Sequence, residues 1–233
     1  IIMIKNENNI LDKLKGRLVV SCQVVDNGPM DSPEIITSMA LAAENGGAGG
    51  LRIEGIENLK IIRPKTKLPI IGIIKRDSSE YNIRITPLIK DVENLAIHGA
   101  DIIGYDASSL SRPCTTSEIV KKIKEMNILA MSDCGNLNDG ITALKEGSDI
   151  LGTTLSGYIY NIVNPTAEPD FELIKEFHNL GAFTMAEGRY NSPDLARKAV
   201  EAGADSVTVG SAITRVEHIT SWFANVINKN DSI

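Results

Sequence analysis

Gly99-Ala100-Asp101-Ile102-Ile103-Gly104-Tyr105-Asp106 is the stretch that decides the fold. A small turn tripeptide runs straight into a short apolar, β-branched segment that ends in a carboxylate. The phrase returns as Gly147-Ser148-Asp149 ahead of Ile150–Leu155, and as Gly203-Ala204-Asp205 ahead of Ser206–Gly210. Glycine at such a point supplies the left-handed residue that ends a helix. Each phrase therefore marks a helix end and a strand start, and together they fix the phase of the chain.

Working outward, short apolar runs occur at Leu18–Gln23, Gly50–Glu54, Ile70–Lys75, Ile102–Asp106, Ile128–Asp133, Ile150–Leu155, Phe183–Glu187 and Ser206–Gly210. Amphipathic stretches of helical period lie between them, among them Pro33–Glu44, Leu88–Ile97, Ser117–Met126, Leu137–Lys145, Asp170–Phe177 and Pro193–Glu201, and Glu217–Ile227 follows the last. Strict alternation of this kind builds βαβ units around a parallel sheet. Eight units in 233 residues predict an α/β fold, a single-domain (β/α)8 TIM barrel over 1–233, with 1–16 forming an N-terminal helix or extension. A doubly wound dinucleotide-binding sheet would need GxGxxG after its first strand. The chain instead reads Val24-Val25-Asp26-Asn27-Gly28-Pro29 there, and it has no Walker motif.

Composition narrows the partners. With 24 basic and 30 acidic residues the net charge is -6, which disfavours nucleic acid and anionic membranes. No apolar run reaches the roughly 20 residues of a membrane span. The leading IIMIKNENN is too polar for a secretory signal. Cys22, Cys114 and Cys134 form no CxxC pair, so a reducing, cytoplasmic setting is expected.

The strand ends carry the chemistry. Gln23, Arg52, Lys75, Asp106, Asp133 and Glu187 all fall at or near the C-terminal ends of their runs, where this fold places active sites. Alternation aligns Lys75 with Ile71 and Ile73, Asp133 with Leu129 and Met131, and Glu187 with Phe183 and Met185. Apolar residues below and a charge at the mouth describe an inward row. Structural ion pairs would produce some such charges, but so many at one rim are costly without another purpose. Two glycine turns, Glu187-Gly188-Arg189 and Gly210-Ser211-Ala212, sit after the last two strands, where backbone N–H groups and a short extra helix commonly bind phosphate. The histidines His98, His178 and His218 lack metal-ligand spacing and read as surface or packing residues away from the mouth. Cys22 reads as an outer-face core residue, and Trp222 as packing on the barrel wall or an oligomer partner.

The segments Leu18–Gln23 (LVVSCQ), Pro69–Arg76 (PIIGIIKR), Gly152–Tyr158 (GTTLSGY), Ala186–Arg189 (AEGR) and Ala212–Arg215 (AITR), in this order, resemble the N-acetylmannosamine-6-phosphate 2-epimerase family. The resemblance implies a metal-free, cofactor-free barrel enzyme of sialic-acid catabolism that interconverts N-acetylmannosamine 6-phosphate and N-acetylglucosamine 6-phosphate. It implies that Lys75 and Glu187 are catalytic, and that Gln23, Arg52, Asp133 and Arg189 contact the sugar. It further implies that Gly188, Gly210, Ser211 and Arg215 hold the phosphate. The partner is then a small sugar phosphate, with a homodimer left open. The chain departs from the family where a basic DATKRKRP-like stretch becomes Asp106-Ala107-Ser108-Ser109-Leu110-Ser111-Arg112-Pro113.

C2 epimerisation needs a base, a proton donor and stabilisation of an enolate. Lysine, with an ordinary pKa of about 10.4, must be lowered to roughly 7–8 to serve as a base. Burial and the Arg52 cation act in that direction, while a close Glu187 acts against it. Two other classes stay open at this point. One is a metal-dependent sugar-phosphate barrel enzyme, and the other a catalytically inactive sugar-phosphate sensor.

Overall fold

A computed structural model describes residues 7–159 and 168–228, with the side chains of 7–9 left undescribed. Eight parallel strands close into a barrel in sequence order, β8 pairing back to β1. They are β1 (Arg17–Cys22), β2 (Gly50–Glu54), β3 (Ile70–Ile73), β4 (Ile102–Asp106), β5 (Leu129–Asp133), β6 (Ile150–Gly152), β7 (Phe183–Glu187) and β8 (Ser206–Val209). The helices are α1 (Glu7–Leu14), α2 (Pro33–Asn45), α3 (Ile56–Ile62), α4 (Ile89–Ile97), α5 (Thr116–Glu125), α6 (Leu137–Glu146), α7 (Phe171–Asn179), α8 (Pro193–Glu201), α9 (Ser211–Thr214) and α10 (Val216–Ile227). Residues 1–6 of the expected N-terminal element lie outside the described part.

Local sequence explains the helix ends. Ser32, Thr115, Asn136 and Ser192 each accept a backbone N–H from the first turn that follows, and Pro33 and Pro193 fill first-turn positions where no N–H is needed. Gly99, Gly147 and Gly203 all take positive φ, of 94°, 100° and 110°, as the repeated phrase requires.

The aspartates of that phrase do more than mark a boundary. Asp101 accepts the N–H of Ile70 at 3.0 Å, Asp149 that of Ala130 at 2.7 Å, and Asp205 that of Thr184 at 2.9 Å. Each carboxylate thus fixes the start of the preceding strand. Arg63, Lys124 and Lys15 stand against them at 2.7, 2.8 and 3.7 Å.

Two apolar layers follow from the alternation. Val19, Ile71, Ile102, Leu129, Met131, Ile150 and Met185 fill the barrel interior, and Leu14 of α1 packs among them, fully buried. The opposite strand faces pack on the helices, with Leu51, Ile53, Ile103, Ala130 and Leu151 in that outer cluster. Cys22 lies in the outer cluster too, and burial pushes its thiol up to about 12. The interior is therefore apolar below and leaves its upper end to polar groups.

Candidate active site

A cavity of about 720 Å³ opens above that interior. Its walls include Ser21, Gln23, Arg52, Lys75, Asp106, Thr154, Glu187, Gly188, Arg189, Gly210, Ser211 and Arg215. The structure thus gathers the residues expected at the C-terminal rim, with one exception. Asp133 is wholly buried and lies behind Arg52 rather than on the wall.

Arg52 on β2 is the centre of an ionic cluster. Its Nη2 and Nη1 donate to the two Asp133 oxygens at 2.7 and 3.1 Å, a two-pronged pair with both side chains 1% exposed or less. Nη1 also lies 3.2 Å from Glu187 Oε2, at ion-pair distance but without hydrogen-bond geometry, so that Oε2 lacks a hydrogen-bond partner among the described residues. One guanidinium therefore faces two carboxyl groups and fully satisfies one. Burial pushes Glu187 up to about 7, with Asp133 adding to the rise while Arg52 and Lys75 oppose it.

Lys75 stands apart. The sheet hydrogen bonding of β3 ends at Ile73, and Lys75 pairs instead with Ile85 in an antiparallel bridge. The inward alternation nevertheless continues to its side chain, which reaches the cavity. Its backbone N–H donates to Glu54 at 3.2 Å, and Arg76 beside it grips the buried Asp91 at 2.6 Å. Among the described residues its amine has no ion-pair or hydrogen-bond partner. Burial, and then the cations Arg52 and Arg215, lower its pKa, against the pull of Glu54 and Asp26. A lysine held without a carboxylate partner is shifted toward the neutral amine.

The glycine turns form the other end of the cavity. Gly188 has φ 112° and Arg189 φ 63°, a left-handed pair that folds the chain back after β7. Arg189 donates to the carbonyls of Ser156 and Glu168 at 2.7 and 2.8 Å and lies over the Tyr158 ring, which ties this turn to the loop after β6. Gly210 precedes the single turn α9, whose first N–H groups have no partner within the helix. Arg215 follows α9 and donates to the Gln23 carbonyl at 3.0 Å. In the altered loop after β4, Arg112 folds back onto the Asp106 carboxylate at 3.3 Å and the Ser108 carbonyl. Asp106 is raised by burial, against the hydrogen bonds of Ser108 and the Arg112 charge.

Two expectations need correction. His218 and Trp222 both line the cavity. After β8 the chain makes only the short α9 before α10 begins, so the first turns of α10 pass the barrel mouth. Sequence reasoning missed Asn82 and Arg84 on the wall, whereas Thr154, at the polar end of the sixth strand run, continues the inward alternation of Ile150 and Gly152 and does line it. Among the described residues, no three His, Cys, Asp or Glu side chains gather into a cluster able to hold a metal ion.

The profile of a family described as "Putative N-acetylmannosamine-6-phosphate epimerase" matches residues 36–229. The chain belongs to this family. A Haemophilus influenzae relative, named "Putative N-acetylmannosamine-6-phosphate 2-epimerase", is 53% identical over 218 residues, covering 94% of this chain and 95% of the relative. One from Aliivibrio fischeri, with the same name, is 52% identical over 222 residues, covering 95% and 94%. The solved N-acetylmannosamine-6-phosphate 2-epimerase from Clostridium perfringens superposes with a TM-score of 0.89 at 40% identity, covering 93% of this chain and 95% of that one. A thiamine phosphate pyrophosphorylase from Pyrococcus furiosus, at 16% identity and TM-score 0.61, shares the fold alone. In this chain, then, the ionic cluster and a lysine without a partner among the described residues share the cavity at the C-terminal rim.

Proposed function

We propose that this chain interconverts N-acetylmannosamine 6-phosphate and N-acetylglucosamine 6-phosphate by moving the C2 proton of the opened sugar. The observation that carries the proposal is an unpartnered lysine with a lowered pKa sharing one cavity with a buried carboxyl of raised pKa. In the opened sugar the C1 carbonyl acidifies the C2 hydrogen. Neutral Lys75 takes that proton, its amine becomes the ammonium, and the electron pair moves into the C1–C2 enolate. Return of a proton to the other face of C2 completes the inversion. Glu187, its pKa raised so that a large share stays protonated as neutral pH is approached from below, positions the substrate or assists that return. Arg52 contributes positive charge where the enolate oxygen forms, in a site shielded from bulk water. Asp133 acts through Arg52 by fixing its plane.

The phosphate is assigned to the turns at Gly188 and Gly210–Ser211, with Arg215 close by, and Gln23 and Arg189 to the sugar side. Binding energy from this remote group helps hold C2 at the base. The unphosphorylated sugar should accordingly show a far lower kcat/KM, and comparable values would refute the assignment.

The proposed partner is a sugar phosphate, and the proposed compartment is the cytoplasm. We read 1–233 as one domain. A homodimer is also proposed. Phe223, Val226 and Ile227 of α10 are 67–73% exposed, and no α10 residue is buried. Such an apolar face fits a second copy.

The test of function is a turnover assay on purified protein with each 6-phosphorylated N-acetylhexosamine, in chelator, without nucleotide. Interconversion in both directions is expected. Activity lost in chelator and restored by a divalent ion would overturn the mechanism.

A further inference from the structure

We propose that Glu54 is a positioning residue for Lys75, its carboxylate standing in for the strand carbonyl that β2 no longer offers. This deepens the epimerase reading and rests on it for its catalytic meaning.

The ladder between β2 and β3 sets the demand. Leu51 donates its N–H to the Pro69 carbonyl at 3.0 Å, and Gly55 to the Ile73 carbonyl at 2.9 Å, so donors and acceptors advance together along the two strands. In a parallel pair the bonds returning from the second strand interleave with these. With Glu54 paired to Ile73, the next N–H, that of Lys75, falls to the Gly55 carbonyl. That carbonyl has turned into the helix. Gly55 takes φ 85° and accepts the Leu59 N–H at 3.1 Å as α3 begins. Glu54 fills the place, its Oε1 accepting the Lys75 N–H at 3.2 Å. The Asn58 side-chain amide donates to the Glu54 carbonyl at 2.8 Å, so the residue that supplies the carboxylate is itself fixed against α3.

The opposite edge is held by the returning chain. Thr86 donates its N–H to the Ile74 carbonyl at 2.7 Å, and Arg76 donates its own to the Arg84 carbonyl at 2.9 Å. These bonds fix the neighbours of Lys75 and leave the Lys75 N–H on the side of β2, where Glu54 meets it. Glu54 is half-buried and is not among the described residues that line the cavity, so it acts through Lys75. The charged groups bearing on the amine are Arg52 and Glu54 of β2, Asp26 of the loop after β1, Arg215 beyond α9 and Glu187 of β7. Asp26 and Asp31 bear on Glu54 in turn. The Glu54 charge favours the ammonium and so opposes the base, while its oxygen places the base. The acceptor oxygen, and not the charge, is what Lys75 needs from this residue.

The experiment separates oxygen from charge. Glu54→Gln keeps an acceptor oxygen and removes the charge, whereas Glu54→Leu removes both. Hydrogen exchange of the Lys75 amide, followed by NMR, should be at least about threefold faster in Glu54→Leu, the worth of one hydrogen bond, and near wild type in Glu54→Gln. In turnover Glu54→Leu should lose roughly 10- to 100-fold in kcat with KM little changed, because the base is misplaced. Glu54→Gln should recover most of that loss. The Lys75 amine is titrated by NMR in protein carrying ¹³C at lysine Cε, its signal assigned as the one missing from Lys75→Ala. Its midpoint should move acidward in Glu54→Gln, since a nearby negative charge has gone. A merely structural role would lower Tm in both variants and leave that midpoint in place. If the leucine variant does not fold, Glu54→Ala reads the same loss. Unchanged amide exchange or wild-type kcat in Glu54→Leu overturns the proposal. So does a glutamine variant as impaired as the leucine one, or a lysine midpoint that stays put. Exchange and titration need no turnover, so a wild-type protein that fails to epimerise would overturn the epimerase reading and still leave these two measurements to decide the role of Glu54.

Discussion

The two rims of the barrel carry the same kinds of residue and use them in opposite ways. At the N-terminal rim Asp101, Asp149 and Asp205 each accept a strand N–H and face a cation. At the C-terminal rim Arg52 serves two carboxyl groups, Glu187 Oε2 has no hydrogen bond and Lys75 has no ion-pair partner among the described residues. One rim is satisfied and stabilises the fold. The other is left short of partners, which is the condition under which pKa values move toward neutrality. Charge at a strand end is therefore uninformative until its partners are counted.

Substitutions that should behave differently at the two rims test this contrast. The largest stability effect belongs to Arg52→Ala, which leaves Asp133 buried and uncompensated. It should cost about 3–5 kcal/mol in chemical denaturation and abolish turnover. Turnover lost with no loss of stability would show that the pair is not buried as described.

Glu187→Gln comes next. The folded carboxyl titrates near 7 against an ordinary value of 4.5, so folding favours its protonated form. Its contribution to stability is complete below about 4.5 and is lost as pH rises through 7. The glutamine variant lacks this decline, so its stability advantage should open across that window while turnover falls. Parallel stability curves for the two proteins would contradict the raised value.

Asp149→Ala is the matching test at the other rim. It removes acceptors from Ala130 and Lys124 and should cost about 1–3 kcal/mol, visible as a lower Tm, with kcat unchanged. A matching loss of kcat would erase the distinction between the rims. The smallest stability effect is expected for Lys75→Ala, which removes an unpaired, desolvated amine and should leave Tm level or slightly higher.

Much of this was legible in the sequence because period-two alternation says which side chains point inward. Ile71, Ile73 and Lys75 keep that face even where the parallel strand has ended. Alternation does not give depth, so Asp133 could not be seen to lie behind Arg52 while Glu187 stayed at the cavity. The phrase Gly-Ala-Asp revealed helix ends through the needs of glycine, but not the aspartates' bonds to neighbouring strands, which join residues far apart in the chain. Helix α3, only Ile56–Ile62, is too short for its period to stand out, and it sits between Gly55 at φ 85° and Pro64. His218 and Trp222 reach the mouth because α9 is a single turn, a length that only the folded chain fixes.

Lys75, whose amine has no ion-pair or hydrogen-bond partner among the described residues, is the base we propose for the C2 proton. The measurement is C2 proton exchange of N-acetylmannosamine 6-phosphate in deuterated solvent, followed by NMR. Wild-type protein should incorporate deuterium at C2. Lys75→Ala should lose exchange and epimerisation together by about 10²–10⁴, and Lys75→Arg should not restore them, because a guanidinium stays protonated. Exchange at the wild-type rate in Lys75→Ala would place the base elsewhere and contradict the account.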